Sequence, residues 1–288
     1  MENLRKPPWL IKRLTPTSAV SEVRGLLRHQ SLHTVCENAM CPNLGECFSR
    51  RTATFLIMGD VCTRHCGYCA IGSGSPPPLD PGEPERVAEA AAALSLRHVV
   101  VTSVTRDDLP DGGAAHFAET IRAIRRRLPT AAVEVLIPDF GGSAEALREV
   151  LAAGPDILNH NVETVPRLFP HVRPQGNYGR SLELLAAARS AISRGYIKSG
   201  IMVGLGETEE EVLEVMRDLR SVGCDIFTVG QYLRPSRHHL EVRQYYRPEA
   251  FDRFRSAGEA MGFLMVASGP FVRSSYNADQ FTLARSDH

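Results

Sequence analysis

From Thr54 onward, hydrophobic and polar positions fall into two alternating rhythms. Short β-rich runs predict strands over Thr54–Met58, His98–Thr102, Val133–Ile137, Asp156–Asn161, Ile197–Val203 and Asp225–Val229. Longer amphipathic runs separate them. Gly82-Glu-Pro84 opens a helix that continues to Leu94, with Pro84 suited to the first turn. Phe117, Ile121, Ile124 and Leu128 form the apolar stripe of the next helix, and helices follow over Ala144–Leu151, Ser181–Ile192 and Glu209–Val222. Thr208 and Glu211 are spaced as a capping box for the last of these. A helix over Pro248–Met261 and a short strand at Phe263–Ala267 end the pattern. Upstream, Val20, Val23, Leu26 and Leu27 predict a helix over Ser18–Arg28. The basic, proline-bearing segment Arg5–Leu14, with Trp9 the chain's one tryptophan, reads as an extended piece docked on the surface.

Strands alternating with helices imply parallel βα units, and right-handed crossovers would roll six of them into a partial (β/α)6 TIM-like barrel of the α/β class. A doubly wound open sheet is the alternative, because periodicity does not decide closure. The expected layout is an N-terminal extension over 1–50, the barrel over 51–235 and a C-terminal extension over 236–288. With 288 residues and 43% hydrophobic content, the chain fits one large domain with appendages. Its 33 Lys and Arg balance 33 Asp and Glu, which gives no electrostatic reason to expect nucleic acid. Arg125-Arg126-Arg127 reads as a solvated helix end facing the dipole. No apolar run is long enough to cross a bilayer and no signal-peptide core is visible, so the expected location is cytoplasmic, without membrane contact.

The chemistry concentrates between Cys36 and Cys69, which hold six of the seven cysteines in two triplets: Cys36, Cys41, Cys47 and Cys62, Cys66, Cys69. Thiolates at such spacing suit iron-sulfur clusters or zinc rather than magnesium or calcium. Structural zinc normally closes with four residues, commonly two C-x2-C knuckles, and only Cys66-Gly-Tyr-Cys69 has that spacing. A disulfide framework is disfavoured, since a chain this long needs no staples and its cysteine number is odd. Cys224 reads as a small buried apolar residue, and His29 and His33 as ordinary histidines. In barrels of this kind the site lies at the carboxyl ends of the strands. Those positions are polar here: Ser103 to Asp108, Asp139, Asn159-His160-Asn161, Glu163, Gly204 to Thr208 and Gln231-Tyr232.

Cys62-Thr-Arg-His-Cys66-Gly-Tyr-Cys69 resembles the C-x3-C-x2-C signature of the radical S-adenosylmethionine (SAM) superfamily. The upstream C-x4-C-x5-C of Cys36, Cys41 and Cys47 resembles the auxiliary-cluster motif of the lipoyl synthase family. That likeness continues through Asp107 to Gly113, Asn159 to Thr164, Val172-Arg-Pro174, Lys198-Ser-Gly200, Gly230-Gln-Tyr-Leu233 and Arg273-Ser274-Ser275-Tyr276 followed by Ala278. Gly200-Ile-Met-Val-Gly204-Leu-Gly206-Glu207 is similar to the superfamily's adenine-side G-x-I-x-G-x-x-E element, with Met202 in place of a branched residue. The superfamily's Gly-Gly-Glu stretch is replaced by Ser103 to Asp108.

The resemblance implies two 4Fe-4S clusters and SAM. The cluster on Cys62, Cys66 and Cys69 would bind SAM, and the auxiliary cluster on Cys36, Cys41 and Cys47 would take Ser275 as its fourth ligand, with Ser274 the alternative. Ser103, Asn161, Glu163, Arg180, Gly204 and Glu207 are the candidate SAM contacts. The implied activity is radical insertion of two sulfur atoms, at carbons six and eight, into an octanoyl chain carried on a lysine. The carriers would be lipoyl domains of 2-oxoacid dehydrogenase E2 subunits and the glycine cleavage H protein. A low-potential electron donor and an iron-sulfur carrier that rebuilds the auxiliary cluster would be further partners. Two rivals stand beside this reading: a radical SAM enzyme whose extra cluster binds substrate or relays electrons, and a non-catalytic electron carrier or zinc-stapled module.

Overall fold

A computed structural model of the chain describes residues 5–12, 18–50 and 52–275. In chain order the elements are α1 (Ser18–His29), β1 (His33–Thr34), α2 (Val35–Asn38), α3 (Leu44–Ser49), β2 (Thr54–Ile57), β3 (Val61–Cys62), β4 (Gly72–Ser73), α4 (Glu83–Ala93), β5 (His98–Ser103), α5 (Ala114–Arg127), β6 (Ala132–Leu136), α6 (Ala144–Ala152), β7 (Ile157–Asn159), α7 (Phe169–Val172), α8 (Tyr178–Ala191), β8 (Tyr196–Val203), α9 (Glu209–Ser221), β9 (Ile226–Gln231), α10 (Pro248–Ala260) and β10 (Met265–Gly269).

Among the described residues, eight strands form the main sheet in the order β1-β2-β5-β6-β7-β8-β9-β10. Every pair is parallel except β1 with β2. The order never reverses, so there is no switch point of the kind a doubly wound sheet requires. This one-way winding is the order of a partial barrel, with the six predicted strands in the middle. Both extensions add an edge strand: the C-terminal one is expected from the sequence pattern, and β1 is not. The two-residue β1 is too short to show any alternation. The C-terminal strand starts at Met265 rather than Phe263, because Phe263 instead packs into the core and stacks on Phe227 at 5.5 Å between ring centroids. The fourth strand begins at Ile157, since Asp156 spends its carboxylate on the Val133 N–H at 2.7 Å and on Arg125.

Alternation along the strands separates two faces. Phe55, Ile57, Val99, Val101, Val133, Val135, Ile197, Phe227 and Val229 join the helices in the main core. The opposite register carries Glu134, Asn159 and Lys198, all buried. They form a buried polar floor: Lys198 Nζ donates to Glu134 Oε1 at 2.8 Å, His98 Nε2 lies 3.1 Å from Glu134 Oε2, and Asn159 Nδ2 donates to Oε1 at 3.3 Å, while Asn159 Oδ1 is left without a partner. The Thr208–Glu211 capping box is present with both of its hydrogen bonds.

The N-terminal segment is not extended throughout. Pro8–Leu10 turns as a 3-10 helix, Leu10 is fully buried, and Trp9 Nε1 donates to the Tyr246 carbonyl at 3.2 Å. The segment's last two residues, 13 and 14, lie outside the described residues, as do Tyr276 and Ala278. Among the described residues no helix is long and apolar enough to cross a membrane.

Candidate active site

Cys62 ends β3, directly after the first barrel strand, and its sulfur accepts the N–H groups of Arg64 at 3.4 Å and Thr105 at 3.3 Å. A turn closed by Cys69 N–H on the Cys66 carbonyl at 3.1 Å presents the other two thiols. The loop is held from both sides. Gly67 donates to the Val172 carbonyl and accepts from Leu240 N–H, each at 3.0 Å, while His239 Nε2 lies 3.0 Å from the Cys69 carbonyl. A Cβ on Gly67 would meet Leu240 Cγ at 2.8 Å, so only glycine lets the two loops close this far.

Arg64, inside the motif, is 9% exposed and grips both Asp107 oxygens at 2.7 Å and Asp139 at 2.8 Å. Burial alone would raise the Asp139 pKa, but the Arg64 guanidinium outweighs it and holds the carboxyl at about 2. Arg180 also reaches Asp139, at 3.4 Å, and so joins this rim rather than Asn161 and Glu163.

Asn161 and Glu163 follow β7 and are brought together: Asn161 Nδ2 donates to Glu163 Oε1 at 3.1 Å. Glu163 sits at φ +69°, a conformation costly for a non-glycine residue. Two backbone bonds enforce it, Glu163 N–H to the Gly200 carbonyl at 3.0 Å and Met202 N–H to the Glu163 carbonyl at 2.9 Å. Burial raises the Glu163 pKa, opposed by Arg173, Asn161 and a hydrogen bond with Tyr68 of the cysteine loop. Arg173 donates to the Asn161 carbonyl at 2.8 Å. His160 is satisfied structurally between the Ile137 carbonyl and Ser181 Oγ, each 2.9 Å away. Burial, then Arg173, pushes its pKa down to about 4, so it is neutral near pH 7.

Glu207 accepts from Gly204 N–H at 2.6 Å and Leu205 N–H at 2.9 Å, which fixes the glycine-rich loop from within. Gly204 packs so closely that a Cβ would lie 2.1 Å from Gln231 Nε2. Beside this loop a cavity of about 380 Å³ is lined by Arg167, His171, Val172, Leu205, Leu240 and Arg243 among others. Ser103 ends β5 in the helix-facing register of Val99 and Val101. Its Oγ is buried without a partner, as are Asn161 Oδ1 and Arg173 Nε. Orphaned polar atoms of this kind, two of them around Asn161, are what a polar ligand would satisfy.

The second triplet lies outside the sheet's middle. Cys36 is on α2, whose N-cap Thr34 accepts Glu37 N–H, and Cys47 is on α3; Cys41 lies between them and donates its N–H to the Cys36 carbonyl at 3.1 Å. Burial lifts the Cys36 pKa to about 12 and the Cys47 pKa to about 11, and does the same to Cys69 at about 12. Within each triplet the thiols lie in electrostatic reach of one another. Among the described residues no three Cys, His, Asp or Glu side chains are grouped as ligands of a single ion. Binding any metal centre here would displace protons from these thiols.

The C-terminal arm reaches this second triplet. Asn43, 1% exposed, donates from Nδ2 to the Phe271 carbonyl at 2.7 Å and accepts Lys12 Nζ at 2.7 Å. Thr54 Oγ1 lies 2.7 Å from Ser275 Oγ, and the Thr54 backbone N–H bonds Cys36. Ser275 is thereby brought beside the triplet, while Ser274 turns the other way, its Oγ 2.6 Å from Asn161 Nδ2. The Arg273 guanidinium lies in electrostatic reach of both Cys41 and Glu163. Sequence reasoning missed Thr54, Arg64, Tyr68, Asn43, Arg173 and Arg273 as site-building residues. Arg64 and Tyr68 had a signal in their position inside the cysteine motif; Thr54 and Asn43 had none, because their partners are more than two hundred residues away.

Similarity to known proteins follows the same lines. The radical SAM superfamily model matches residues 56–219. The lipoyl synthase of Caldanaerobacter subterraneus subsp. tengcongensis is 59% identical over 276 residues, covering 96% of this chain and 96% of the relative. That of Rubrobacter xylanophilus is 56% identical over 277 residues, covering 96% and 86%. Among solved structures, methylornithine synthase (PylB) aligns with a TM-score of 0.54 at 14% identity over 92% of this chain and 86% of that one. Streptococcus suis SuiB bound to the precursor peptide SuiA aligns with a TM-score of 0.57 at 12% identity over 79% and 52%. These two likenesses concern the fold alone.

Proposed function

The chain belongs to the lipoyl synthase family of the radical SAM superfamily, and from that premise we propose that it is a sulfurtransferase that inserts two sulfur atoms, at carbons six and eight, into an octanoyl chain held on the lysine of a lipoyl carrier domain. Cys62, Cys66 and Cys69 would hold the SAM-binding 4Fe-4S cluster, and Cys36, Cys41, Cys47 and Ser275 the auxiliary one. When bound, the first cluster and SAM supply a radical able to take hydrogen from an unactivated carbon, and the auxiliary cluster supplies sulfide.

This chain's own residues would do the positioning. Arg64, tied to Asp107 and Asp139, stiffens the motif loop. Asn161 offers an unpaired buried acceptor to the ammonium of SAM's methionine part, and Glu163 a carboxylate. Glu207 would act by fixing the Gly204–Leu205 backbone that an adenine would lie against, and Tyr68 would pack near it. An unactivated carbon-hydrogen bond is out of reach of side-chain acids and bases, so this is chemistry that a cofactor carries. Ser275 would hold its corner of the auxiliary cluster through an oxygen, a harder and less natural partner for iron-sulfur than the thiolates of Cys36, Cys41 and Cys47.

The observation that carries the reading is the meeting of chain ends at Thr54, which faces Cys36 with its backbone and Ser275 with its hydroxyl. The octanoylated carriers would be E2 subunits and the glycine cleavage H protein, with a low-potential donor for electrons and an iron-sulfur carrier to rebuild the auxiliary cluster. The test is anaerobic reconstitution, then reaction with SAM, a reductant and an octanoyl-lysine peptide. The expected products are 5′-deoxyadenosine and a peptide heavier by two sulfur atoms. Deoxyadenosine with no sulfur in the peptide would favour a different radical reaction, and neither product would remove both readings.

A further inference from the structure

Adjacent serines on the C-terminal arm face in different directions. Ser275 meets Thr54 at the auxiliary triplet, whereas Ser274 Oγ takes the Asn161 amide at 2.6 Å. The arm is seated where this matters: a Cβ on Gly230 of β9 would lie 2.1 Å from the Val272 carbonyl, so backbone rests on backbone just before the two serines. With Cα atoms of neighbours about 3.8 Å apart, a restraint on Ser274 is a restraint on Ser275.

Asn161 is divided between the two sites. One of its N–H groups goes to Ser274 and the other to Glu163 Oε1 at 3.1 Å, while its Oδ1 is buried and unpaired. Turning the amide over would set that oxygen against the Glu163 carboxylate, so the observed orientation is the one Glu163 selects. A cationic donor at Oδ1 would polarise the amide and make its N–H groups better donors.

We propose that Ser274 is a positioning residue which, through Asn161, couples occupancy of the SAM pocket to the grip of the C-terminal arm on the auxiliary cluster. This rests on the reading of Asn161 as a SAM contact and of Ser275 as an iron ligand. A ligand ammonium at Asn161 tightens the bond to Ser274 and so holds Ser275 in place. By linkage the seated arm raises the affinity for SAM by the same factor.

The experiment uses the two-cluster protein and follows iron lost to a chelator with and without SAM. Iron from the auxiliary cluster is identified by subtracting the trace of a Cys36→Ala, Cys41→Ala, Cys47→Ala variant. SAM is expected to slow that loss in the native protein by roughly 2- to 10-fold, the equivalent of one neutral hydrogen bond. In Ser274→Ala the SAM effect should disappear, and in Ser274→Thr, which keeps the hydroxyl, it should return. SAM affinity by equilibrium dialysis should fall by a similar factor in Ser274→Ala, a readout that holds even if that variant loads its auxiliary cluster poorly. Equal protection by SAM in Ser274→Ala, as simple shielding would give, overturns the coupling, and so does the absence of any SAM effect in the native protein. Failure of the underlying reading looks different: the native protein would bind no SAM, or the triple variant would lose as much iron as the native chain.

Discussion

The Cys62, Cys66 and Cys69 loop hangs from a barrel strand and is hydrogen-bonded through backbone groups to Val172, Leu240 and Thr105, which belong to three barrel connections. The Cys36, Cys41 and Cys47 segment sits on two short helices beside the sheet edge. It is closed by pieces brought from both ends of the chain: Lys12 to Asn43 and Glu46 from one side, Phe271 to Asn43 and Ser275 to Thr54 from the other. One site is part of the scaffold, and the other is a lid assembled from termini. Local openings are cheapest where few buried contacts must be broken. Under the proposed function, the centre that would survive every turnover has the first setting, and the one that would be dismantled and refilled has the second.

The largest expected effect separates the two outright. Cys62→Ala should abolish SAM cleavage and sulfur transfer together, whereas Cys36→Ala should keep SAM cleavage and lose only the sulfur product, each variant retaining about half the native iron. Deoxyadenosine and peptide mass measured on the same samples decide it. Loss of SAM cleavage in both variants would mean that the two centres do not stand apart.

Next in size is Gly230→Ala. The added methyl meets the Val272 carbonyl at 2.1 Å, so the arm must lift from β9. Iron and Mössbauer analysis should show the auxiliary cluster mostly lost and the other retained. Equal loss from both would make the arm a general support of the barrel instead of a lid for one site.

Much of the scaffold site was legible in the sequence, and the reason is local. Six strands, their helices, the capping box and the C-x3-C-x2-C loop are all encoded within short windows, where period and turn chemistry act. Asn161 and Glu163 stood out for the same reason, at the end of a strand. The lid was legible only as spacing: Cys36, Cys41 and Cys47 gave the ligands but not what closes over them. Thr54 reads only as the first residue of a strand and Asn43 only as a spacer within the cysteine motif, and their roles come from contacts with positions 275 and 271 that no window contains. Arg180 and Ser103 show the converse. The resemblance implies both as SAM contacts; in the fold Arg180, on the first turn of α8, pairs with Asp139, and Ser103 ends β5 in the helix-facing register. Strand-end location alone does not tell which way a side chain points.

Glu134 tests the buried polar floor of the barrel, on which β5 to β8 depend. Burial would raise its pKa, but Lys198 and then His98 outweigh it and hold the carboxyl at about 2, down from 4.5. A depressed pKa means that its stabilisation is present above 4.5 and is lost as pH falls from there toward 2. Glu134→Gln keeps the shape but leaves Lys198 buried without its counter-charge, at a cost of about 3–5 kcal/mol. The expected loss in Tm at neutral pH is on the order of 10 °C, with a flatter acid limb below pH 4.5. Both clusters should be lost at the same temperature, unlike in Gly230→Ala. An unchanged acid limb would show that the ion pair does not govern acid stability.

The smallest effect is the most selective. Asn43 donates to the Phe271 carbonyl and accepts from Lys12, so it clasps the arm and the N-terminal segment at once. Asn43→Asp keeps the shape and strengthens the bond to Lys12, but an ionised carboxylate has no N–H for Phe271 and sets oxygen against oxygen. The N-terminal segment should therefore stay docked while the arm loosens. Losing one buried hydrogen bond corresponds to a change of roughly 2- to 10-fold in the arm's opening equilibrium. Auxiliary-cluster iron should reach a chelator faster by that factor, with iron on Cys62, Cys66 and Cys69 released at the native rate. If the N-terminal segment were what closes the lid, its tighter bond to Asp would slow the release instead. The sign of the change thus tells which chain end guards the proposed auxiliary cluster.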